Sequence, residues 1–198
     1  MPPPGRRAEY AEATRAALVD AAAELFAQRG YGATSLDDVA AAVRVTKGAV
    51  YHHFKGKRDL FYAVCEQVET EVVAHVGQGD VDIRDPWDAL VRGVDRYLDA
   101  CLEPKVQRIL LLDAPTVLGW DGWRELESRF ALGLTVAAIE VAMEAKVLRR
   151  QPVEPLAHML LGALTEATLY IARAEDRREA REQVGGSVRT LLEGLRTG

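Results

Sequence analysis

Residues 35–60 read SLDDVAAAVRVTKGAVYHHFKGKRDL, a pattern that predicts two short helices joined by a tight turn. Ser35 and Asp38 have the spacing of a reciprocal capping box, so the first helix begins after Ser35 and is expected to end near Val43. Thr46 can cap the second helix. Two such helices, packed on a longer preceding one, form a helix-turn-helix, which presents its second helix to the major groove of DNA.

The apolar positions of this segment determine which side of the second helix is free. They recur at helical spacing and can form a small core: Leu36, Val39, Ala40, Val43, Val50 and Phe54. With Val50 and Phe54 turned inward, the other residues of the second helix face outward. Gly48 and Ala49 have almost no side chain, so the backbone can approach the bases, and Ala49 can touch a thymine methyl group.

Polar groups beside this helix suit contacts with phosphates and base edges. Lys47 can reach a guanine or a phosphate, and Tyr51 and His52 carry polar tips for either kind of contact. Thr34 and Lys57 stand at two predicted helix N-termini, where backbone N–H groups and the helix dipole favour a phosphate. The sequence therefore predicts a DNA-reading surface centred on the second helix.

The charge of the chain is unevenly distributed. Its formal net charge is -5 over 198 residues, but residues 1–58 carry nine Lys+Arg against six Asp+Glu, and residues 59–198 carry sixteen against twenty-four. The basic excess lies at the end that contains the helix-turn-helix, as expected if only that end touches phosphates. Arg6 and Arg7 can extend it as a basic arm. Asp37 lies near the expected phosphate path and would repel it unless its side chain points sideways.

The rest of the chain predicts helices throughout, so the expected fold class is all-α. Ala, Leu, Glu and Arg dominate, and no strand-like alternation competes with the helical periodicity. The predicted helices outside the helix-turn-helix have the approximate limits 10–29, 57–76, 86–102, 104–113, 122–148, 154–174 and 179–196. We expect a flexible basic arm (1–9), a helix-turn-helix domain (10–56) and a larger ligand-sensing and dimerisation domain (57–198).

The composition also indicates a compartment. The sequence contains no run of roughly 18 apolar residues that would cross a membrane, and its N-terminus lacks the apolar core of a signal peptide. Cys65 and Cys101 are its two cysteines, without metal-ligand spacing between them. A reducing, cytoplasmic setting without membrane contact is therefore expected.

Two runs resemble a known family: GYGATSLDDVA (30–40) and VTKGAVYHHFKGKRDL (45–60) look like the DNA-binding domain of the TetR family of bacterial regulators. The resemblance covers about fifty residues, and the run 51–60 is especially specific. It implies about nine helices, a homodimer and a repressor that a ligand releases from double-stranded operator DNA. It also implies major-groove or phosphate contacts for the residues Thr34, Ser35, Thr46, Lys47, Gly48, Ala49, Tyr51, His52, His53 and Lys57.

The C-terminal part is far longer than DNA binding requires and contains all three tryptophans. An apolar cavity with aromatic walls and a few polar groups is the usual form of a small-molecule site, so a lipophilic or aromatic effector is expected. The alternative is that these aromatic residues fill an ordinary core. The candidate effector-binding residues are Tyr97, Cys101, Trp120, Trp123, Arg124, Phe130, His158 and Thr165.

Two apolar stripes near the C-terminus predict a dimer interface. They lie on the last two predicted helices, and two such helices from each subunit can form a four-helix interface. The alternative is that both stripes close the core of a single chain. The candidate interface residues are Leu160, Leu164, Ala167, Val188, Leu191, Leu192 and Leu195.

Two other classes of function compete with a regulator. An all-α enzyme or carrier is one, but the sequence has no nucleophile elbow, phosphate loop, H-E-x-x-H or Cys–His ligand set, so no enzyme, cofactor or metal site is predicted. A helical interaction protein is the other. It would not need Gly48, Tyr51, His52 and Lys57 exposed at these spacings.

Overall fold

The computed structural model describes residues 5–77 and 85–197, and within them the chain is helical apart from short connections. The helices are α1 (Arg6–Arg29), α2 (Leu36–Val43), α3 (Lys47–His53), α4 (Lys57–Gly77), α5 (Pro86–Ala100), α6 (the consecutive segments Pro104–Val106, Gln107–Asp113 and Ala114–Leu118), α7 (Trp120–Glu144), α8 (Val153–Arg173) and α9 (Arg177–Glu193). The predicted all-α fold with about nine helices is confirmed. No helix in the described ranges is long and apolar enough to span a bilayer.

The caps predicted for the helix-turn-helix are present. The hydroxyl of Ser35 accepts a hydrogen bond from the backbone N–H of Asp38 at 3.1 Å, and the Asp38 carboxylate accepts from the backbone N–H of Ser35 at 2.8 Å. Thr46 caps α3 by accepting from the backbone N–H of Ala49 at 3.2 Å. Arg44 ends α2 in the left-handed conformation, with φ 60°, which turns the chain toward α3. Local sequence therefore fixes both ends of the turn.

Two predicted helix limits at the N-terminal and central parts of the chain are wrong. Helix α1 begins at Arg6, so residues 6–9 of the predicted arm are helical, and residues 1–4 lie outside the described residues. Helix α6 continues past Asp113 to Leu118, because Pro115 stands in the first turn of its last segment, where a missing N–H is tolerated. The segment before Pro115, Gln107–Asp113, has π-helical geometry.

The C-terminal ends of α7 and α9 also differ from the predicted limits. Helix α7 stops at Glu144, and Lys146 adopts a left-handed backbone conformation with φ 61°. The chain then extends so that Leu148 forms an isolated antiparallel bridge with Arg196. This bridge ends the last helix three residues before its predicted limit.

Buried side chains form one large core and two smaller clusters in the described ranges. The large core joins α1, α2 and α3 to α4, α6, the start of α7 and the end of α8. Phe26, Tyr31 and Phe61 lie at its centre, with ring centroids 5.0 to 5.8 Å apart. The second cluster lies among α5, α7, α8 and α9. Helix α4 therefore starts beside the helix-turn-helix and continues into the C-terminal helices.

Candidate DNA-binding surface and effector cavity

One side of α3 is buried and the other is free, as the sequence predicts. Val50 is fully buried and Phe54 is 3% exposed, which anchors α3 on the large core. Tyr51 is 52% exposed, although it is a large aromatic residue. The exposed residues of the predicted reading surface are Ser35, Thr46, Lys47, Gly48, Tyr51 and His52, while Ala49, His53 and Lys57 are half-buried.

A polar surface hollow of about 320 Å³ lies beside α3. It is formed by the α1–α2 connection, the start of α2, α3 and the start of α4. Its lining residues are Gly32, Ala33, Thr34, Ser35, Leu36, Asp37, Lys47, Tyr51 and Lys57. The fold thus brings together residues from three places in the sequence that were predicted to contact phosphates or bases.

The two lysines that line this hollow each contact another group of the protein. Lys47 Nζ donates to Asp37 Oδ2 at 2.9 Å, and this hydrogen bond raises the pKa of Lys47. Asp37 therefore points sideways toward a cation, which offsets the repulsion that its position predicts. The ammonium of Lys57 lies 4.1 Å from the ring centroid of Tyr31 and 3.5 Å from the carbonyl oxygen of Gly32.

The side chain of Thr34, a predicted phosphate contact, is used within the protein. Thr34 is 2% exposed, and its hydroxyl donates to the backbone carbonyls of Gly30 at 3.0 Å and Leu25 at 3.3 Å. It stabilises the end of α1 and positions the next residue, Ser35, as the cap of α2. Its role in the surface is therefore structural.

A cavity of about 360 Å³ lies among α4, α5, α7, α8 and α9. This volume falls in the range of small-molecule sites, roughly 300–1,000 Å³. Its walls are almost entirely aliphatic, and the polar side chains on it are Glu69, Tyr97 and Thr135. Leu134 and Leu191 also line it and are 40% and 59% exposed, so the cavity opens to the surface between α7 and α9.

Most of the predicted effector-binding residues lie elsewhere. Tyr97 lines the cavity, as predicted, and the other seven do not. Trp123 is 1% exposed and belongs to the large core, whereas Trp120 is 56% exposed and packs edge-on against it. Cys101 is buried, His158 is exposed, and Phe130 lines a separate surface groove. Trp120, Trp123 and Phe130 therefore fit the alternative that the sequence left open, in which aromatic residues fill or cover the core.

Arg124 and Thr165 belong to a buried polar cluster rather than to the cavity wall. Arg124 donates to Glu127 Oε2 at 2.6 Å and lies 3.0 Å from the hydroxyl oxygen of Thr165, which also contacts Glu127. Burial raises the pKa of Glu127, and its hydrogen bonds with Thr165 and Arg124 oppose this shift. Arg124 thus supplies the positive charge that offsets Glu127.

Sequence reasoning missed Glu69. Burial, and to a smaller extent the charge of Glu127, raises the pKa of Glu69 to about 8. The signal was present, because Glu69 is in helical register with Cys65, Val72 and Val76 on an otherwise apolar stripe of α4. An acidic residue in that register is the unusual feature of the stripe.

The predicted dimer residues prove to have two different environments. Val188 and Leu192 are 8% and 1% exposed and belong to the core of the single chain, so they leave little surface for a partner. The predicted interface residues that line the cavity are Leu160, Leu164, Val188, Leu191 and Leu192. Ala167 and Leu195 are half-buried, and Leu191 is the exposed member of the set.

Two family models match the chain. Bacterial regulatory proteins of the tetR family match residues 18–64, which contain the helix-turn-helix. The tetracyclin repressor-like C-terminal domain matches residues 87–195, more than half of the chain. The chain belongs to the TetR family. TetR-family proteins are transcriptional regulators and generally ligand-responsive repressors, so the function predicted from the sequence is confirmed at the level of the family.

Individual TetR-family proteins agree with this assignment. A regulator from Pectobacterium atrosepticum of known crystal structure is 33% identical, covers 96% of this chain and 97% of its own, and superposes with a TM-score of 0.87. The transposon Tn10 TetC protein of Escherichia coli is 25% identical over 95% of both chains. The HTH-type transcriptional regulator AcrR of Shigella flexneri is 33% identical, but the match spans 52% of this chain and 48% of that protein.

Proposed function

We propose that a homodimer of this TetR-family chain binds operator DNA with the outer face of α3 and releases it when a small molecule occupies the cavity. The observation that carries the proposal is the free face of α3, on which Lys47, Gly48, Tyr51 and His52 are exposed while Val50 anchors the helix. A short helix held in this way can enter the major groove, and its first turn lies nearest the bases.

The polar hollow supplies the second part of the DNA contact. Lys57 and the backbone at the start of α4 and α2 suit phosphates, because helix N-termini attract anions. Lys47 is held by Asp37 in the free protein and exchanges this partner for a phosphate or a guanine on binding. Tyr51 and His52, which follow Lys47 about one turn later on α3, extend the contact with DNA.

The dimer that we propose is formed by the exposed parts of α8 and α9. Met159 and Tyr170 are 64% and 56% exposed on α8, and Leu191 is 59% exposed on α9. Ala163 shares the exposed face of Met159 and Tyr170, because the three have helical spacing. Exposed apolar residues grouped on two packed helices are typical of an interface with another protein surface.

The proposed function involves no enzymatic step. TetR-family members are transcriptional regulators, and Glu69 is the one carboxylate among the described residues that line the cavity. We place the protein in the cytoplasm, where operator DNA lies, without a cofactor.

The experiment is DNA binding by paired variants. Duplex sites are selected from a random-sequence pool with the wild-type protein, and binding is followed by fluorescence anisotropy. Tyr51→Ala and Lys47→Ala are expected to weaken binding by about tenfold or more, because each removes a contact of the reading helix. Arg150→Ala, which removes an exposed cation from the α7–α8 connection, is the control. Wild-type affinity in both α3 variants would contradict the proposal.

A further inference from the structure

The cavity has an aliphatic wall with one buried acid. Glu69 lines it and is 7% exposed, and no residue in the described ranges donates a hydrogen bond or an ion pair to its carboxylate. Tyr97 lines the same cavity. An unpaired carboxyl group in apolar surroundings is costly, so a protein that retains one generally gives it a partner.

The arginine of the neighbouring buried polar cluster already has a carboxylate partner. Arg124 donates to Glu127 at 2.6 Å, whereas burial and the charge of Glu127 act on Glu69 without a neighbouring cation among the described residues. If both acids ionise, the cluster has one negative charge in excess. Burial and this neighbouring charge keep Glu69 protonated near neutral pH when the cavity is empty, since its pKa is about 8.

We propose that the effector of this regulator is a lipophilic cation, an amine or quaternary ammonium on an apolar body, whose nitrogen lies against Glu69 and the ring of Tyr97. This inference rests on the proposed function, because it assumes that the cavity is the effector site. Aliphatic walls from α4, α5, α7, α8 and α9 accept the apolar body. The Tyr97 ring face attracts a cation through its quadrupole.

The same wall disfavours an anionic effector. No Lys or Arg is among the described residues that line the cavity, so a carboxylate or phosphate would enter without a partner and beside an acid. A neutral alcohol can hydrogen-bond to the protonated Glu69 but gains no charge–charge attraction to it. The electrostatics therefore rank a cation above a neutral molecule and a neutral molecule above an anion.

Binding of the cation has a measurable proton balance. In the empty cavity the Glu69 carboxyl group holds its proton, and a bound ammonium stabilises the carboxylate instead. The proton leaves to the buffer, and close to one proton is released per bound cation near neutral pH. A quaternary ammonium carries no proton of its own, so any proton released comes from the protein.

The test is isothermal titration calorimetry on the full-length protein with three probes of equal chain length: decyltrimethylammonium, decanol and decanoate. We expect the cation to bind at least about tenfold tighter than decanol, and decanoate to bind weakest. Repeating the titration in buffers of different ionisation enthalpy counts the released proton. Stronger binding of decanol or decanoate, or no binding of the cation, overturns the proposal.

Glu69→Gln is the decisive variant, because it keeps the shape of the side chain but cannot carry the charge. We expect it to bind decyltrimethylammonium at least about tenfold more weakly, without proton release, and to bind decanol about as the wild type does. Glu66→Gln, one turn earlier and paired with Arg129 outside the cavity, is the control. Circular dichroism confirms that both variants are folded.

A separate readout distinguishes this inference from the proposed function. Operator binding by the protein without probe tests the regulator alone. If the protein binds DNA but the cation has no preference for wild type over Glu69→Gln, the effector class is wrong and the regulator stands. If operator binding itself is absent, the proposed function fails whatever the calorimetry shows.

Discussion

Asp37 and Lys47 form an ion pair on the surface that we propose to meet DNA, with 2.9 Å between Oδ2 and Nζ. Both side chains are more than half exposed, so the pair contributes little to stability. The ion pair instead affects DNA binding. Lys47 must leave Asp37 to reach DNA, and the Asp37 carboxylate then lies close to the phosphates. We therefore expect Asp37 to lower operator affinity.

Asp37→Asn is expected to bind operator DNA about threefold to fivefold more tightly at low salt, since it removes this repulsion and frees Lys47. Fluorescence anisotropy at several salt concentrations measures the effect, which should shrink as salt rises. Glu140→Gln, an exposed acid on α7, is the control and should leave affinity unchanged. Weaker binding by Asp37→Asn would show that the carboxylate instead orients Lys47 for recognition.

Glu69 also predicts how stability depends on pH. Its pKa is about 8 in the folded chain against 4.5 for the ordinary group, so the folded state holds a proton that the unfolded state has lost between these values. Stability therefore falls as pH rises from 4.5 to 8. The charged groups facing it are Glu127, and Tyr97, Cys65 and Cys101 if they ionise. Burial raises the pKa of these last three groups, so they remain neutral in this range.

We expect Glu69→Gln to have about the melting temperature of the wild type at pH 5 and a higher one at pH 8. The physical reason is that glutamine removes the cost of ionising a buried carboxyl group, which amounts to a few kcal/mol at most. Thermal unfolding at both pH values measures it. An equal pH dependence in wild type and variant would mean that Glu69 is solvated or paired in solution.

Helix α4 runs from the reading surface to the cavity, and α6 contacts both α4 and the α1–α2 connection. Lys57 at the start of α4 lies about 18 Å along the helix from Glu69. Arg58 donates to the carbonyl oxygens of Val117 and Leu118 at 3.1 and 3.0 Å, which ties α4 to the end of α6. Asp113 of α6 accepts from the backbone N–H of Tyr31 at 2.7 Å. A ligand that shifts α4 therefore shifts the helix-turn-helix, provided that it binds the two arrangements with different affinities.

Asp113→Ala is expected to lower the free energy of unfolding by about 1–2 kcal/mol, because it leaves the Tyr31 N–H without its acceptor and removes the contact with Arg108. Urea unfolding followed by circular dichroism measures the loss. Asp88→Ala, which breaks an exposed i,i+4 pair, should cost less than about 0.5 kcal/mol. Equal effects of the two substitutions would show that the contact of α6 with the helix-turn-helix domain is weak.

Some of these structural elements could be predicted from the sequence and others could not. The helix-turn-helix follows from local signals, because the Ser35–Asp38 box and the Thr46 cap need only residues three positions apart. The continuation of α6 through Pro115 depends on a π-helical segment, which has no comparable sequence signal. The cavity depends on how five helices pack, so its aliphatic wall could not be read from the positions of the aromatic residues.

An amphipathic pattern also cannot show whether an apolar residue is buried within its own chain or by a partner chain. The stripe on α9 contains both Leu192, which is 1% exposed, and Leu191, which is 59% exposed. Both are leucines one position apart, and the pattern alone predicts that each is buried by something. Only the packing of α9 against α5 and α8 separates the residue of the chain's own core from the residue left for a partner.

The proposed mode of DNA binding requires two copies of the whole chain. Each reading helix is short and contacts one half-site, and two half-sites on one face of DNA recur about 34–36 Å apart. The exposed apolar residues of α8 and α9 lie on helices far in sequence from α3. We therefore expect dimerisation and DNA reading to use different surfaces, which mutation can separate.

Leu191→Asp is expected to raise the dimer dissociation constant by about tenfold or more, because it places a charge in an apolar interface. Sedimentation equilibrium measures the association, and circular dichroism checks the fold. Leu112→Asp, at a leucine on α6 that is 38% exposed, is the matched control. An unchanged dimer in Leu191→Asp would place the interface elsewhere.

Hydroxyl-radical footprinting of the wild-type protein on a selected duplex tests whether the two α3 helices of a dimer lie in successive major grooves. A dimer that sets one α3 in each of two successive major grooves predicts protected backbone segments on one face of the duplex, one helical turn apart, and their loss in Tyr51→Ala. A single protected segment, or a footprint that persists in Tyr51→Ala, would contradict the account.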